Sequence, residues 1–198
     1  VALTPVAPGQ VATIVTSLEM LRPHAPRPMP ASPLRLARWQ APRPAPYRGL
    51  FRRVGEPWLW FSRLVMDDAA LLAIITDPAV EVLPVIDRAG IEIGLLELDF
   101  RTAGTCELSF VGLVPELTGK GHGRWLMAHA LSLAWRKGID RVWVHTCTLD
   151  HPAALGFYRR SGFVPFATAV ETFADPRLAG ILAPDAAPHV PIIAPSGS

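Results

Sequence analysis

The chain has 198 residues, half of them apolar and 18% charged, with a formal net charge of +2. That composition excludes a wholly disordered chain, and so small a charge provides no global field toward nucleic acid or a membrane. A chain of this length is read as one domain, burying roughly two-thirds of the surface its unfolded form exposes. No run approaches the roughly 18 apolar residues of a membrane span, and the opening VALTPVAPGQ lacks the basic and apolar regions of a secretory leader. The expectation is a cytoplasmic protein with no membrane and no nucleic-acid partner. Cys106 and Cys147 are too few for a disulfide framework and read as small apolar fillers of strands.

In chain order, Thr13 to Met20 opens with β-branched residues and predicts a first strand. From Leu21 to Tyr47 prolines stand at 23, 26, 28, 30, 33, 42, 44 and 46, which disfavours helix and sheet alike. Between Glu19 and Glu56 there are eight arginines and no acidic residue, read as a solvated basic loop lying against the domain's own carboxylates. Tyr47 to Val54 predicts a short helix closed by Gly55, and the aromatic cluster PWLWF from Pro57 to Phe61 reads as core. Asp67 and Asp68 open a second helix that Asp77-Pro78 ends.

Val80 to Ile86 and Ile91 to Phe100 flank the turn Asp87-Arg88-Ala89-Gly90 and predict a hairpin. The strand Cys106 to Val114 follows, then a helix from Gly121 to Lys137 with a wide apolar face of Leu126, Met127, Ala130, Leu131, Ala134 and Trp135. Arg141 to Thr148 predicts a strand, Pro152 to Arg160 a helix, and Phe163 to Thr172 the last strand. The hairpin requires antiparallel strands and the long strand-helix-strand crossover a parallel pair, so the sheet is mixed. The domain reading is 1–198 as one unit, with a Pro/Arg-rich insertion at about 21–46 and a Pro/Ala-rich tail at about 175–198 that wraps the surface or a partner.

The stretch FVGLVPELTGKGHG, from Phe110 to Gly123, runs an apolar strand into a glycine turn and a helix. Such a turn lets backbone N–H groups converge on a phosphate at a helix N-terminus, where the dipole adds attraction. A nucleoside triphosphate P-loop needs glycine where Val114 stands and a hydroxyl where Gly121 stands, and the GxGxxG dinucleotide fingerprint is not met either.

The second half resembles the GNAT N-acetyltransferase superfamily, which uses acetyl-CoA. Its signature is Arg or Gln, two residues, Gly, one residue, then Gly or Ala; LVPELTGKGHGRWLM supplies Gly121 and Gly123, with Thr118 at the Arg/Gln position. A further family segment is matched by Ala154, Tyr158, Gly162 and Phe163, with His151 in place of Asn. The resemblance runs from about Ile91 to Phe166. It implies an α+β fold whose mixed, mostly antiparallel sheet is flanked by helices and carries a parallel pair splayed at the CoA site. It also implies that Thr118, Gly119, Lys120, Gly121, His122, Gly123 and Arg124 cradle the pyrophosphate, with His151 nearby. Backbone groups of Val111 and Leu113 would hold the pantetheine, and the Val111 N–H would polarise the thioester carbonyl.

Tyr158 matches the family tyrosine that protonates the departing thiolate. Glu107 stands fourteen residues before Gly121, where some lysine-acetylating members carry their catalytic glutamate, and period-two alternation puts it on one face with Ser109 and Val111. Glu97 and Asp99 on the neighbouring strand are alternatives. His145, Cys147, Asp150 and His151 cluster without CxxC or HExxH, so no metal is expected; Asp150 or His151 would cap the following helix, and His145 or Thr146 would border the acyl site. The implied activity is acetyl transfer from acetyl-CoA to a primary amine of a small molecule, amino acid derivative or peptide. A CoA-binding sensor without turnover is the alternative, and a homodimer is compatible with either.

Overall fold

A computed structural model describes residues 1–24 and 28–195. Its seven strands are β1 (Gln10–Met20), β2 (Arg35–Leu36), β3 (Val80–Ile86), β4 (Glu92–Asp99), β5 (Thr105–Leu113), β6 (Arg141–Cys147) and β7 (Val164–Ala174). Its four α-helices are α1 (Pro44–Gly55), α2 (Asp68–Ile75), α3 (His122–Ala134) and α4 (Ala154–Arg160). The strands form one sheet in the order β2-β3-β4-β5-β6-β1-β7, antiparallel throughout except for the parallel β5–β6 pair.

Local chemistry explains most boundaries. Pro44 and Pro46 lie in the first turn of α1, where a missing N–H costs no intrahelical bond, so the proline run ends in a helix that starts three residues earlier than the sequence pattern indicates. Tyr47, Leu50, Phe51 and Val54 recur on its buried face. Asp67 caps α2 by accepting from the Ala70 N–H at 2.7 Å, and the Asp87 carboxylate closes the β3–β4 turn by accepting from Ala89 and Ile91. Helix α3 stops at Ala134 rather than Lys137. Arg136 instead stacks on the Phe100 ring, 3.3 Å from its centroid, and pairs with Glu81 at 3.1 Å.

Helix α4 begins two residues later than expected, and neither Asp150 nor His151 is its N-cap. The Asp150 carboxylate accepts from the Thr146 hydroxyl and the Cys147 N–H, fastening the end of β6 instead. Of the eight arginines between Glu19 and Glu56, Arg38 of the proline-rich region lies on Glu81 at 2.9 Å, and Arg48, which belongs to α1 rather than to a loop, lies on Asp68. Pro26 and Arg27 of that region, and 196–198 of the tail, lie outside the described residues.

The sheet separates two cores. On one face Leu96, Leu98, Cys106, Leu108, Val142 and Val144 pack under α3 and α4; on the other Val80, Val82 and Leu95 pack under α1 and α2. A third cluster joins Val11, Leu59 and Leu149 to Leu182, Ala186 and Ala187 of the C-terminal segment, so the tail folds back on its own domain. Arg177 fastens it: its guanidinium pairs with Asp175 at 2.7 Å and donates to the carbonyls of Ala186, Ala187 and Val190.

Candidate active site

Two irregularities in β5 create the site. The parallel ladder to β6 contains only Thr105, Cys106 and Glu107, opposite Arg141, Val142 and Trp143. Beyond Glu107 the strands diverge, so the edge of β5 from Leu108 to Leu113 has no strand partner on that side. Against β4 the register also shifts: Leu108 faces Leu98 and Phe110 faces Glu97, leaving Ser109 as the extra residue of a bulge. Glu107 therefore shares its face with Phe110, toward α1, whereas Val111 and Leu113 turn to the α3 face. This corrects the period-two expectation, which assumed an unbroken strand and put Glu107 with Ser109 and Val111.

The divergence opens a cavity of about 500 Å³ that passes between β5 and β6 and is lined from both faces of the sheet. One end is formed by Val111, Leu113, Leu117, Thr118, Gly119, Gly123, Ala154, Phe157, Tyr158 and Arg160. There Gly119 (φ +77°) and Gly121 (φ +83°) hold left-handed conformations, Gly121 is the N-cap of α3, and no side chain caps that helix. The N-terminus of α3 meets that end of the cavity at Gly123, and no side chain caps its first amides, an arrangement suited to binding an anion. The geometry fits a pyrophosphate at this turn and an extended pantetheine along the free edge of β5.

Of the residues singled out in the sequence, Val111, Leu113, Thr118, Gly119, Gly123, His151 and Tyr158 line the cavity. Lys120, Gly121, His122, Arg124 and Glu107 do not; His122 Nδ1 lies 3.1 Å from the Ser32 hydroxyl. Tyr158 is 8% exposed, and burial, reinforced by the Asp150 carboxylate, raises its pKa above that of an ordinary phenol. It therefore keeps its proton at neutral pH. Cys106 is pushed up to about 12 by burial, and Cys147 is raised by burial and Asp150, so neither is a thiolate nucleophile at that pH.

Glu107 reaches the site through another residue. His145 lines the cavity, and its Nδ1 stands 3.5 Å from the Glu107 carboxylate. A hydrogen bond to Glu107 is the main cause raising the imidazole pKa, with Asp150 and Glu171 adding to it. Glu97 is fully buried, accepting from the Tyr47 hydroxyl and from Arg63 at 2.6 Å, and Asp99 is held by Arg101. Both alternatives to Glu107 are therefore already engaged. Among the described residues no group of His, Cys, Asp and Glu is placed to hold a metal ion.

The other end of the cavity is formed by Thr13 and Val15 of β1, Glu171 and Phe173 of β7, Phe110 and the loop Trp58 to Ser62. Most of this wall was not legible as a site. The PWLWF cluster reads as core, and here Trp60 is both: it packs on Phe51 and Phe110 and lines the cavity. Its indole N–H donates to Asp150 at 3.1 Å, tying the α1–α2 connection to the end of β6. Nothing local in the sequence announces that β1 and β7 supply the remaining wall.

The chain matches the acetyltransferase (GNAT) family over residues 50–163, more than half its length, and belongs to that family. Among solved structures it is similar to a GCN5-related N-acetyltransferase from Sphaerobacter thermophilus (TM-score 0.58, 19% identity, 84% of this chain and 52% of that one). An acetyltransferase from Thermus thermophilus gives TM-score 0.50 at 18% identity, covering 71% of this chain and 97% of that one. A spermidine N-acetyltransferase chimera from Vibrio cholerae and hSSAT gives TM-score 0.51 at 25% identity, covering 69% and 84%. The chain spans about half the length of the Sphaerobacter protein. No curated protein matches the sequence. No helix among the described residues is long and apolar enough to cross a membrane.

Proposed function

We propose that this protein transfers an acetyl group from acetyl-CoA to a primary amine by direct attack on the thioester. The observation that carries this reading is the cavity through the divergent β5–β6 pair, which places an uncapped glycine turn, a protonated tyrosine and a carboxylate-backed histidine around one space. Bound acetyl-CoA would supply an activated acyl group there. Gly119, Gly121 and Gly123 would hold its phosphates, with Thr118 and Arg160 beside them, and the free edge of β5 at Val111 and Leu113 would hold the pantetheine.

An alkylammonium has a solution pKa of about 10.4 and must lose a proton before it attacks. His145 faces the cavity and takes that proton; Glu107, behind it, stabilises the imidazolium that results. Tyr158 on the opposite face of the sheet gives its proton to the leaving sulfur; the nitrogen loses its second proton as the carbon–sulfur bond breaks, and the tyrosinate is reprotonated from solvent. Acid and base thus reach the reacting centre from opposite sides of the sheet, through the gap between β5 and β6. The decisive measurement is thiol release from acetyl-CoA across a panel of primary amines. CoA binding without thiol release for any amine would mark the protein as a sensor that has kept the fold and lost turnover.

A further inference from the structure

We infer that the acceptor is a monoamine carrying an aromatic ring and no carboxylate, an aralkylamine by class. This rests on the transferase reading above and names what its acceptor end is built to hold. Two ring contacts shape that end. Phe61 of the α1–α2 connection lies against Phe173 of β7 with centroids 4.7 Å apart, and Trp60 lies against Phe110 at 5.1 Å. All four rings line the cavity, together with Leu59, Val54 and Val15. Trp60 cannot swing away cheaply, because its indole N–H is held by Asp150. The wall is therefore preorganised for a planar apolar group, which aromatic rings meet with both buried area and ring-ring geometry.

The charges select against the other common amines. Glu171 is an exposed carboxylate on the cavity wall and has no salt-bridge partner among the described residues. Asp150, the other lining carboxylate, already accepts from Trp60, Thr146 and Cys147. Glu107 is engaged by His145. One free carboxylate pairs one ammonium, and a polyamine's further ammonium groups would meet only ring faces, whose cation–π attraction falls short of the hydration they lose. Among the described residues Arg160 is the only arginine or lysine lining the cavity, and it belongs to α4 at the end proposed to hold the phosphates. A free amino acid would bring its carboxylate to a wall that offers Glu171 and Asp150 and, among the described residues, no arginine or lysine, while the His145 imidazole there is already engaged by Glu107; such a placement is costly in a partly desolvated site.

The test separates this inference from the transferase reading. Equilibrium binding of 2-phenylethylamine, spermidine and L-phenylalanine to the intact protein is followed by tryptophan fluorescence, and thiol release from acetyl-CoA is measured with the same amines. Saturable binding of 2-phenylethylamine, tighter than the other two by about tenfold or more, is expected, with kcat/KM in the same order. Phe173→Ala and Glu171→Gln should each weaken that binding several-fold and leave CoA binding unchanged; the second alters an exposed side chain and will fold. Tighter binding of spermidine or phenylalanine, or 2-phenylethylamine binding that ignores both substitutions, overturns the inference. Amine binding in the expected order without thiol release overturns the transferase reading alone.

Discussion

Burial raises the pKa of Tyr158 and so keeps its hydroxyl protonated, as the proposed donor to the leaving thiolate must be. Tyr158→Phe should lower kcat by about a hundredfold or more with CoA affinity unchanged, measured by single-turnover thiol release and by calorimetry. His145 predicts a pH dependence of defined sign. Glu107 raises its pKa, so kcat/KM should climb with pH through a value above the usual imidazole range as the base loses its proton. In Glu107→Gln that limb should move to lower pH, and an unmoved profile would discard the pairing. The same shift bears on stability: a raised folded pKa stabilises the fold below about pH 6.5, and the contribution disappears as pH rises through the folded value.

Among the elements, the turn into α3 holds glycines under different conformational demands. Gly121 has φ +83°, so Gly121→Ala should strain the turn and lower stability by about 1 kcal/mol. Gly123 is helical, and a Cβ there would meet only Phe157 at 3.7 Å, an ordinary contact. Gly123→Ala should therefore leave the melting temperature unchanged or raised, yet weaken CoA binding by about tenfold, since its methyl would enter the end of the cavity proposed to hold the phosphates. Measuring both quantities on both variants tells the two roles apart. Between α1 and β4, Glu97 accepts from Tyr47 and Arg63 in a fully buried position, anchoring α1 and the connection after it just beyond Trp60 and Phe61. Glu97→Gln leaves Arg63 without its counter-ion and should cost about 3–5 kcal/mol in urea unfolding.

For the molecule as a whole, the C-terminal segment is an integral layer. Leu182, Ala186 and Ala187 cover Leu59 and Leu149, which are also cavity-lining residues, so the tail backs the wall of the site. Arg177→Ala leaves Asp175, 3% exposed, without its partner, and should destabilise the protein by about 3–5 kcal/mol while loosening that wall. Arg177 holds the Asp175 carboxyl below its usual range, so its contribution is present above about pH 4 and is lost as pH falls through the lower folded value. A melting temperature that drops across that acid window in wild type, and less so in Arg177→Ala, is the expected signature.

The sequence by itself determined the order and type of the elements from Val80 onward, though not the ends of α3 and α4, because each is written in local chemistry: apolar strand-forming runs in β3 and β4, turn residues between them, a recurring apolar face in α3, and glycines where φ is positive. It also pointed to part of the cavity lining: Thr118, Gly119 and Gly123 of the glycine turn, and Tyr158 at its motif spacing, line it, whereas Lys120, Gly121, His122 and Arg124 do not. Only the tertiary structure decided the rest. The bulge at Ser109 depends on which β4 residue faces it, and it reversed the face on which Val111 and Leu113 lie relative to Glu107. The placement of β1 between β6 and β7 joins segments more than a hundred residues apart, Thr13 opposite Glu171 and Val15 opposite Cys147, and no local pattern encodes such a pairing. His145 stands between Glu107 and the cavity for the same reason: its neighbour lies on another strand, and the gap they border exists only where two ladders part.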